Sequence, residues 1–237
     1  MILSFAIAYL ACRFLKGRII PQNADHFRLG ANLTSLLAWS TLLYLTWPIT
    51  GHTLAAVPLL YNISNHWSPV PRVLFAIVLL DLIQYGFHRC LHASAILWLL
   101  HRFHHSDETV DETTGVRHHM LEPIAGALVQ GAFIVLLGLP AISVLTYSIA
   151  ANLQAVWVHA DIKLTSRLSR LISFFLISPD VHRLHHVADP QFERSNFGAL
   201  FPWWDRAFGT FVMESATPLV CYGLAAERRR PVSALGL

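Results

Sequence analysis

Charge is scarce in this chain. Asp, Glu, Lys and Arg make up 13% of the 237 residues, against 54% hydrophobic ones, where an ordinary soluble domain carries about a quarter charged. That deficit makes lipid, not water, the first solvent to consider. The net charge of +3 is small, and the basic residues form no stripe with interleaved aromatics, which argues against nucleic acid as a partner. Cysteine is equally sparse. Cys12, Cys90 and Cys221 lie far apart without a CxxC spacing, so neither a disulfide framework nor a thiolate cluster is expected. No positive residue precedes the first apolar run, "MILSFAIAYLAC", whereas Arg13, Lys16 and Arg18 follow it. This is the reverse of a secretory leader. As a membrane segment the run is short for a hydrocarbon core of about 30 Å, and it would be tilted or partly embedded.

What the chain does have is apolar length. Further runs occupy 29–47, 70–87, 121–138 and 141–158. The first two are long enough to cross a bilayer, since a crossing helix takes about 20 residues at about 1.5 Å each. The last two are joined by "LGLP", where Gly138 and Pro140 interrupt the helix, so they read as a hairpin that enters and returns. "SRLSRLISFFLISP", within the more polar remainder, has the pattern of a helix lying flat on a membrane surface. The excess of Lys and Arg puts loop 13–28 on the cytoplasmic side. Helix 29–47 then leaves, the loop 48–69 without Lys or Arg lies outside, and helix 70–87 returns. The segment from His88 to His119, His159 and the "HRLHH" at 182–186 all end on the cytoplasmic face of a multi-pass protein. His26, His52 and His66 belong to no cluster and read as surface residues in loops.

The histidines are strongly patterned. "HRCLH" puts His88 and His92 at i and i+4, on one helical face. "HRFHH" supplies His101, His104 and His105, and "HRLHH" repeats that spacing at His182, His185 and His186. Each trio spans a narrow helical arc. One such pair is weak evidence for a metal, but three clusters delivered to one face are not. Eight imidazoles exceed what a single tetrahedral zinc uses, and two metals are the natural count. Nitrogen-rich sites suit zinc, copper, iron and nickel alike, so residue type leaves the metal open. Of the nearby acids, Asp107, Glu108, Asp111 and Glu112 read as solvated, while Glu122, at a helix start, is expected to have a partner.

The blocks "DLIQYGFHRCLH", "LWLLHRFHHSDETVDETTGVRHHMLE", "WVHAD" and "ISPDVHRLHH…SNFGALFPWWDRAFGTF", spread over about 75–212, resemble the fatty acid hydroxylase and sterol desaturase superfamily. The resemblance implies an all-α integral-membrane bundle with a cytosolic helical cap carrying a dimetal site. It implies two iron ions, O2 as co-substrate, a lipid substrate taken from the bilayer, and hydroxylation of the fatty acid or sterol type. By this resemblance the catalytic and metal-binding boxes are His88 and His92, then His101, His104 and His105, then His182, His185 and His186. His159 matches a further ligand, and His119 is the histidine of an RxHPxE element formed by Arg117, His119 and Glu122, with Met120 in place of the proline. Val187 stands where a serine is usual. The chain would divide into membrane helices at 1–70, a catalytic domain at 71–215 and a tail at 216–237.

No heme-attachment or cysteine-cluster motif is present, so electrons are expected from an external reductase or small carrier. Desaturation on the same site is the alternative reaction. A membrane metal transporter is the alternative of another class, and it predicts ligands near mid-bilayer in interrupted helices. Among the remaining residues, His118 reads as a satisfied polar group beside His119. Asp81 is expected to accept from a ligand imidazole or an arginine, and Asp205 to pair with Arg206 in a lid over the histidines. Asn196 and Asp180 are weaker candidates for contacts behind the ligands. Arg89, Arg102 and Arg183 should face away from the metals, toward acids or lipid phosphate.

Overall fold

The computed structural model describes residues 2–15, 26–56, 67–213 and 221–224. Among them the chain is helical, with one isolated bridge, Val187 to Tyr222, and no strand. The elements are α1 (Ile2–Leu15), α2 (His26–Ala56), α3 (Pro69–Ala93), α4 (Ala95–His105), a short 3-10 turn (Thr114–Val116), α5 (Leu121–Leu137), α6 (Ala141–His159), α7 (Ser166–Ile172), α8 (Pro179–His185), α9 (Pro190–Glu193) and α10 (Trp203–Ala207).

Local chemistry sets the boundaries that matter for the site. Proline in the first turn starts α3, where its missing N–H is no loss. Ser94 leaves helical geometry (ψ 126°), ends α3 and caps α4 by accepting from the Leu97 amide at 3.4 Å. The resulting elbow turns the α4 histidines back toward those of α3. Gly138 closes α5 at φ 60°, a left-handed cap that favours glycine, and Pro140 opens α6 from extended geometry.

The turn between 121–137 and 141–159 therefore forms as expected, but its two arms splay. α5 packs on α2 and α3, whereas α6 packs on α1 and α3. The Thr114–Val116 turn is wedged between α2 and α6, and around it Phe5, Cys12, Leu36, Trp39, Val116, Val156 and Ala160 form one buried cluster. A second cluster joins Ala76 and Leu80 of α3 to Tyr147 of α6 and to Leu139 and Leu200.

Two described helices, α3 and α6, are long and apolar enough to cross a membrane, and α5 is a shorter apolar helix. Large apolar side chains point outward along α5 (Leu128, Phe133, Leu136) and α6 (Ile142, Leu145, Ile149), a surface suited to lipid and not to water. α2 differs from expectation. At 31 residues it has the length, but it is not apolar enough to count. One polar face is committed to the loop after α4. Asn32 donates to Thr113 Oγ1 at 2.8 Å, Ser35 donates to the His118 carbonyl, and the Trp39 indole donates to the Val116 carbonyl at 3.2 Å.

α2 also continues to Ala56, into the stretch expected as an outer loop, and it contains His26 and His52. The side chains of those two histidines, together with His66, most of the basic loop 13–28 and most of the tail 216–237, lie outside the described residues. The surface helix expected over 166–179 is shorter. It ends at Ile172, because the chain then turns to place the Ser173 hydroxyl on Ser178 Oγ (2.8 Å) and the Ile177 amide on the Leu200 carbonyl (3.0 Å).

Candidate metal centre

Four segments converge at one end of the bundle. The C-terminal turns of α3 and α6 supply His88, His92 and His159, and α4 and α8 supply the two trios. The nine imidazoles sort into two groups. His88, His92, His101, His105 and His185 form one, and His104, His159, His182 and His186 the other, with the potential ligand atoms of each group within 4.8 Å of one another. Each HxxHH box is split between them. From α4, His101 and His105, at i and i+4, serve the first group, and His104, about 60° from His101 and about 100° from His105 around the helix, the second. In the second box the division is reversed, with His182 and His186 in the second group and His185 in the first.

Hydrogen bonds at the far side of the rings fix the tautomers. His88 Nδ1 donates to the Phe197 carbonyl (2.8 Å), His185 Nδ1 to that of Ser195 (2.7 Å), His104 Nδ1 to that of Arg117 (3.1 Å) and His159 Nδ1 to that of Ala155 (2.6 Å). A carbonyl only accepts, so each Nδ1 carries the proton and each Nε2 presents a bare lone pair. His101 Nδ1 donates likewise to Glu122 Oε1 at 2.9 Å.

Those lone pairs face one another. His88 Nε2 lies 3.0 Å from His101 Nε2 and 3.1 Å from His185 Nε2, and His159 Nε2 lies 3.2 Å from His104 Nε2. Such contacts repel unless a cation lies among them. With metal–nitrogen bonds of about 2.1 Å, ligand nitrogens at right angles stand about 3.0 Å apart. The donor set thus fits a transition metal bound through Nε2. Burial, reinforced by neighbouring imidazoles, holds His104, His105, His182, His185 and His186 well below the ordinary imidazole pKa. They are kept as the neutral bases that a metal requires.

His119 is in neither group. Its Nδ1 accepts from the Leu121 amide at 3.2 Å, as a cap on the turn that opens α5. Its neighbour His118 turns inward instead, with Nδ1 donating to Glu122 Oε1 at 3.0 Å and the ring stacked on His104 at 4.8 Å. Glu122 has the partners expected of it, a single oxygen receiving both His101 and His118.

The other acids differ from the solvated reading. Asp107 and Asp111 both bind Arg28 at the start of α2, and Asp107 also accepts from Thr114 Oγ1 at 2.7 Å. Burial pushes the Asp111 pKa up, but the hydrogen bond and charge of Arg28 outweigh it and bring it below the ordinary value. Glu112 is fully buried, and Glu108 is exposed as expected. The RxHPxE arginine, Arg117, acts as a clip. Its guanidinium donates to the Phe103 carbonyl, Asn32 Oδ1 and Ser106 Oγ, while its own carbonyl receives His104.

The segment after the last box is a brace. Asp81 accepts neither imidazole nor arginine. It accepts the Leu200 and Phe201 amides (2.9 and 3.2 Å) and the Trp204 indole (2.9 Å), tying α3 to this segment. Asp205 accepts the Phe197 and Gly198 amides, each at 2.8 Å, and does not pair with Arg206, which donates to the Ser173 carbonyl and stacks on Phe211 at 3.8 Å. A charged pair of sequence neighbours is replaced by these contacts because the buried amides need an acceptor.

Asn196 hydrogen-bonds to none of the described histidines. At φ 55° it bonds the Val181 and Val212 backbones, and the carbonyls on either side of it, Ser195 and Phe197, are the ones that receive His185 and His88. The Phe197 ring also packs within 5.5 Å of His88, His92 and His185. Arg183 faces away from the imidazoles, onto Asp161 at 2.7 Å, and Arg89 lies over Tyr85 and Phe208. The sequence carries no signal for the carbonyls of Ser195, Phe197, Arg117 and Ala155, since any residue supplies one. The role of Arg28 depends on a fold that joins positions about eighty residues apart.

The sequence model of the fatty acid hydroxylase family matches residues 73–210. Among curated proteins, the alkylglycerol monooxygenase of Danio rerio is 34% identical over 145 residues, 61% of this chain and 31% of that protein. That of Xenopus tropicalis is 34% identical over 154 residues with the same coverage. That of Caenorhabditis elegans is 25% identical over 217 residues, 88% of this chain and 41% of its own length. The chain spans about a third of the length of the first two relatives. No solved structure matches it.

Proposed function

Because the chain belongs to the fatty acid hydroxylase family, we propose that it is a membrane-bound, O2-dependent lipid hydroxylase whose nine clustered imidazoles hold two irons. The observation that carries this reading is the convergence of Nε2 atoms, with the Nδ1 protons of His88, His104, His159 and His185 committed to carbonyls and that of His101 to Glu122. Iron bound there would supply the activation of dioxygen and the oxidation of an unactivated lipid C–H bond. The protein's share is orientation and exclusion of water. The backbone acceptors and Glu122 fix the ring planes, and the Phe197 ring and the segment clamped by Asp81 and Asp205 close the site from one side.

The substrate is a lipid, and alkylglycerol is the class to assay first because it is the one in the relatives' names. Fatty acids and sterols follow. Loss of a second hydrogen in place of hydroxyl return would make the same site a desaturase. Reducing equivalents come from an external reductase or small carrier, and the site faces the cytoplasm. The transport reading is disfavoured by position. It requires ligands near mid-bilayer, whereas these gather at the C-terminal ends of α3 and α6 and on the short helices beyond them.

The test is oxygen uptake by the purified, iron-loaded protein given a chemical reductant and each lipid class in turn. The account predicts a hydroxylated product, or its breakdown products, from at least one class, with the oxygen atom derived from labelled O2. Uptake with no lipid product from any class would overturn it.

A further inference from the structure

On the far side of α8 from the histidines lies a cavity of about 530 Å³. Arg183, Leu184 and Val187, interleaved with the second histidine box, form one wall, and the opposite wall is α7 with the segment Asp161–Leu164. That segment begins two residues after the end of α6, one of the two described helices long and apolar enough to cross a membrane, so in a bilayer spanned by α6 the cavity would open near the lipid headgroups.

Its lining is rich in cations. Arg183 is held by Asp161. Lys163 and Arg170 also line it, are exposed, and form no ion pair among the described residues. One further carboxylate, Asp180, lies in the wall, so the basic groups remain in excess.

α7 exposes apolar as well as polar side chains. Ser166, Ser169 and Arg170 face the cavity, while Leu168 and Leu171, with Phe174 and Phe175 just beyond, are 43 to 65% exposed. Exposed leucines and phenylalanines beside the exposed Arg167 and Arg170 fit a membrane surface, apolar side chains among the acyl chains and basic ones at the headgroups.

We propose that this cavity seats the phosphate of an anionic phospholipid, held by Lys163 and Arg170, with its chains lying along the outer face of α7. Basic side chains at the membrane surface attract anionic headgroups in this way, and the volume is that of a small-molecule site. The proposal depends on the chain lying in a membrane and not on the reaction at the histidines.

The experiment uses the full chain in nanodiscs of phosphatidylcholine with a minor share of phosphatidylglycerol, and measures by native mass spectrometry which lipid stays bound. Phosphatidylglycerol is expected to be retained in preference to phosphatidylcholine. Retention should fall at least about thirtyfold in the double variant Lys163→Glu, Arg170→Glu, the loss of two attractive charges alone accounting for that much, and persist in Lys163→Arg, Arg170→Lys, with metal content equal in all three. Soluble glycerol phosphate added in excess should not displace the lipid. Equal retention in wild type and charge-reversed protein, preference for phosphatidylcholine, failure of the conservative variant to retain the lipid, or displacement by glycerol phosphate would each overturn the proposal. A charge-reversed variant that loses its metal is replaced by Lys163→Ala, which must show a smaller loss of the same sign.

Discussion

Glu122 carries two imidazoles on one oxygen, and this makes it the residue whose removal should be felt in both histidine groups. His101 belongs to the first group, and His118, stacked on His104, braces the second. Truncating the carboxylate leaves two buried N–H groups without their acceptor and frees the His101 ring to rotate. Loss of such an outer partner typically costs 10- to 100-fold in metal affinity. Glu122→Ala is therefore expected to lose metal to a chelator at about that much lower concentration, with Glu122→Gln, which keeps one acceptor oxygen, in between. Competition curves that superimpose on wild type would remove Glu122 from this role. At this scale the sequence was legible where spacing carries information. The i, i+3, i+4 boxes announce themselves because only a helix makes such intervals adjacent. Their partners did not, because a carbonyl leaves no trace in a sequence; His118 is the satisfied polar residue that its place suggested, bonded to Glu122, whereas His119 accepts from the Leu121 amide and joins neither histidine group.

Among the elements, the wedge between α2 and α6 is a tight joint. A methyl group added at Gly115 would lie 2.5 Å from the Ala155 carbonyl oxygen and 3.2 Å from His159 Nδ1, and that carbonyl is the one His159 donates to. α6 cannot give way without moving its last histidine. Gly115→Ala is expected to cost about 1–3 kcal/mol by overpacking, read as a lower melting temperature, and to weaken metal retention in the group that contains His159. A variant with wild-type melting and metal content would show that the joint has room. The splayed arms α5 and α6 illustrate what could be read beforehand. Gly138 and Pro140 gave away the turn, because backbone chemistry is local. That α3 packs on both arms depends on contacts between distant positions, and that α2 spends Arg28, Asn32, Ser35 and Trp39 on a distant loop depends on contacts some eighty residues apart; periodicity encodes neither.

For the whole molecule, the bundle gathers its imidazoles at one end and leaves apolar side chains exposed along α5 and α6. If that end faces the cytoplasm, the exposed Cys90 and Cys221 should react with a membrane-impermeant maleimide in sealed vesicles only when the cytoplasmic face is outermost, while buried Cys12 stays unmodified until the protein is denatured. Labelling from the opposite face would invert the topology. Composition made the membrane legible, since so few charges suit a lipid solvent, and the family-like blocks made the chemistry legible; the depth at which each helix sits was not.

The most direct measurement is the metal content of protein purified in mild detergent and loaded with ferrous iron, compared across wild type, His159→Ala and His119→Ala. Nine converging imidazoles predict about two irons per chain in wild type and in His119→Ala, with at least one lost in His159→Ala. A single bound ion in wild type, or loss of iron on replacing His119 with none on replacing His159, would contradict it.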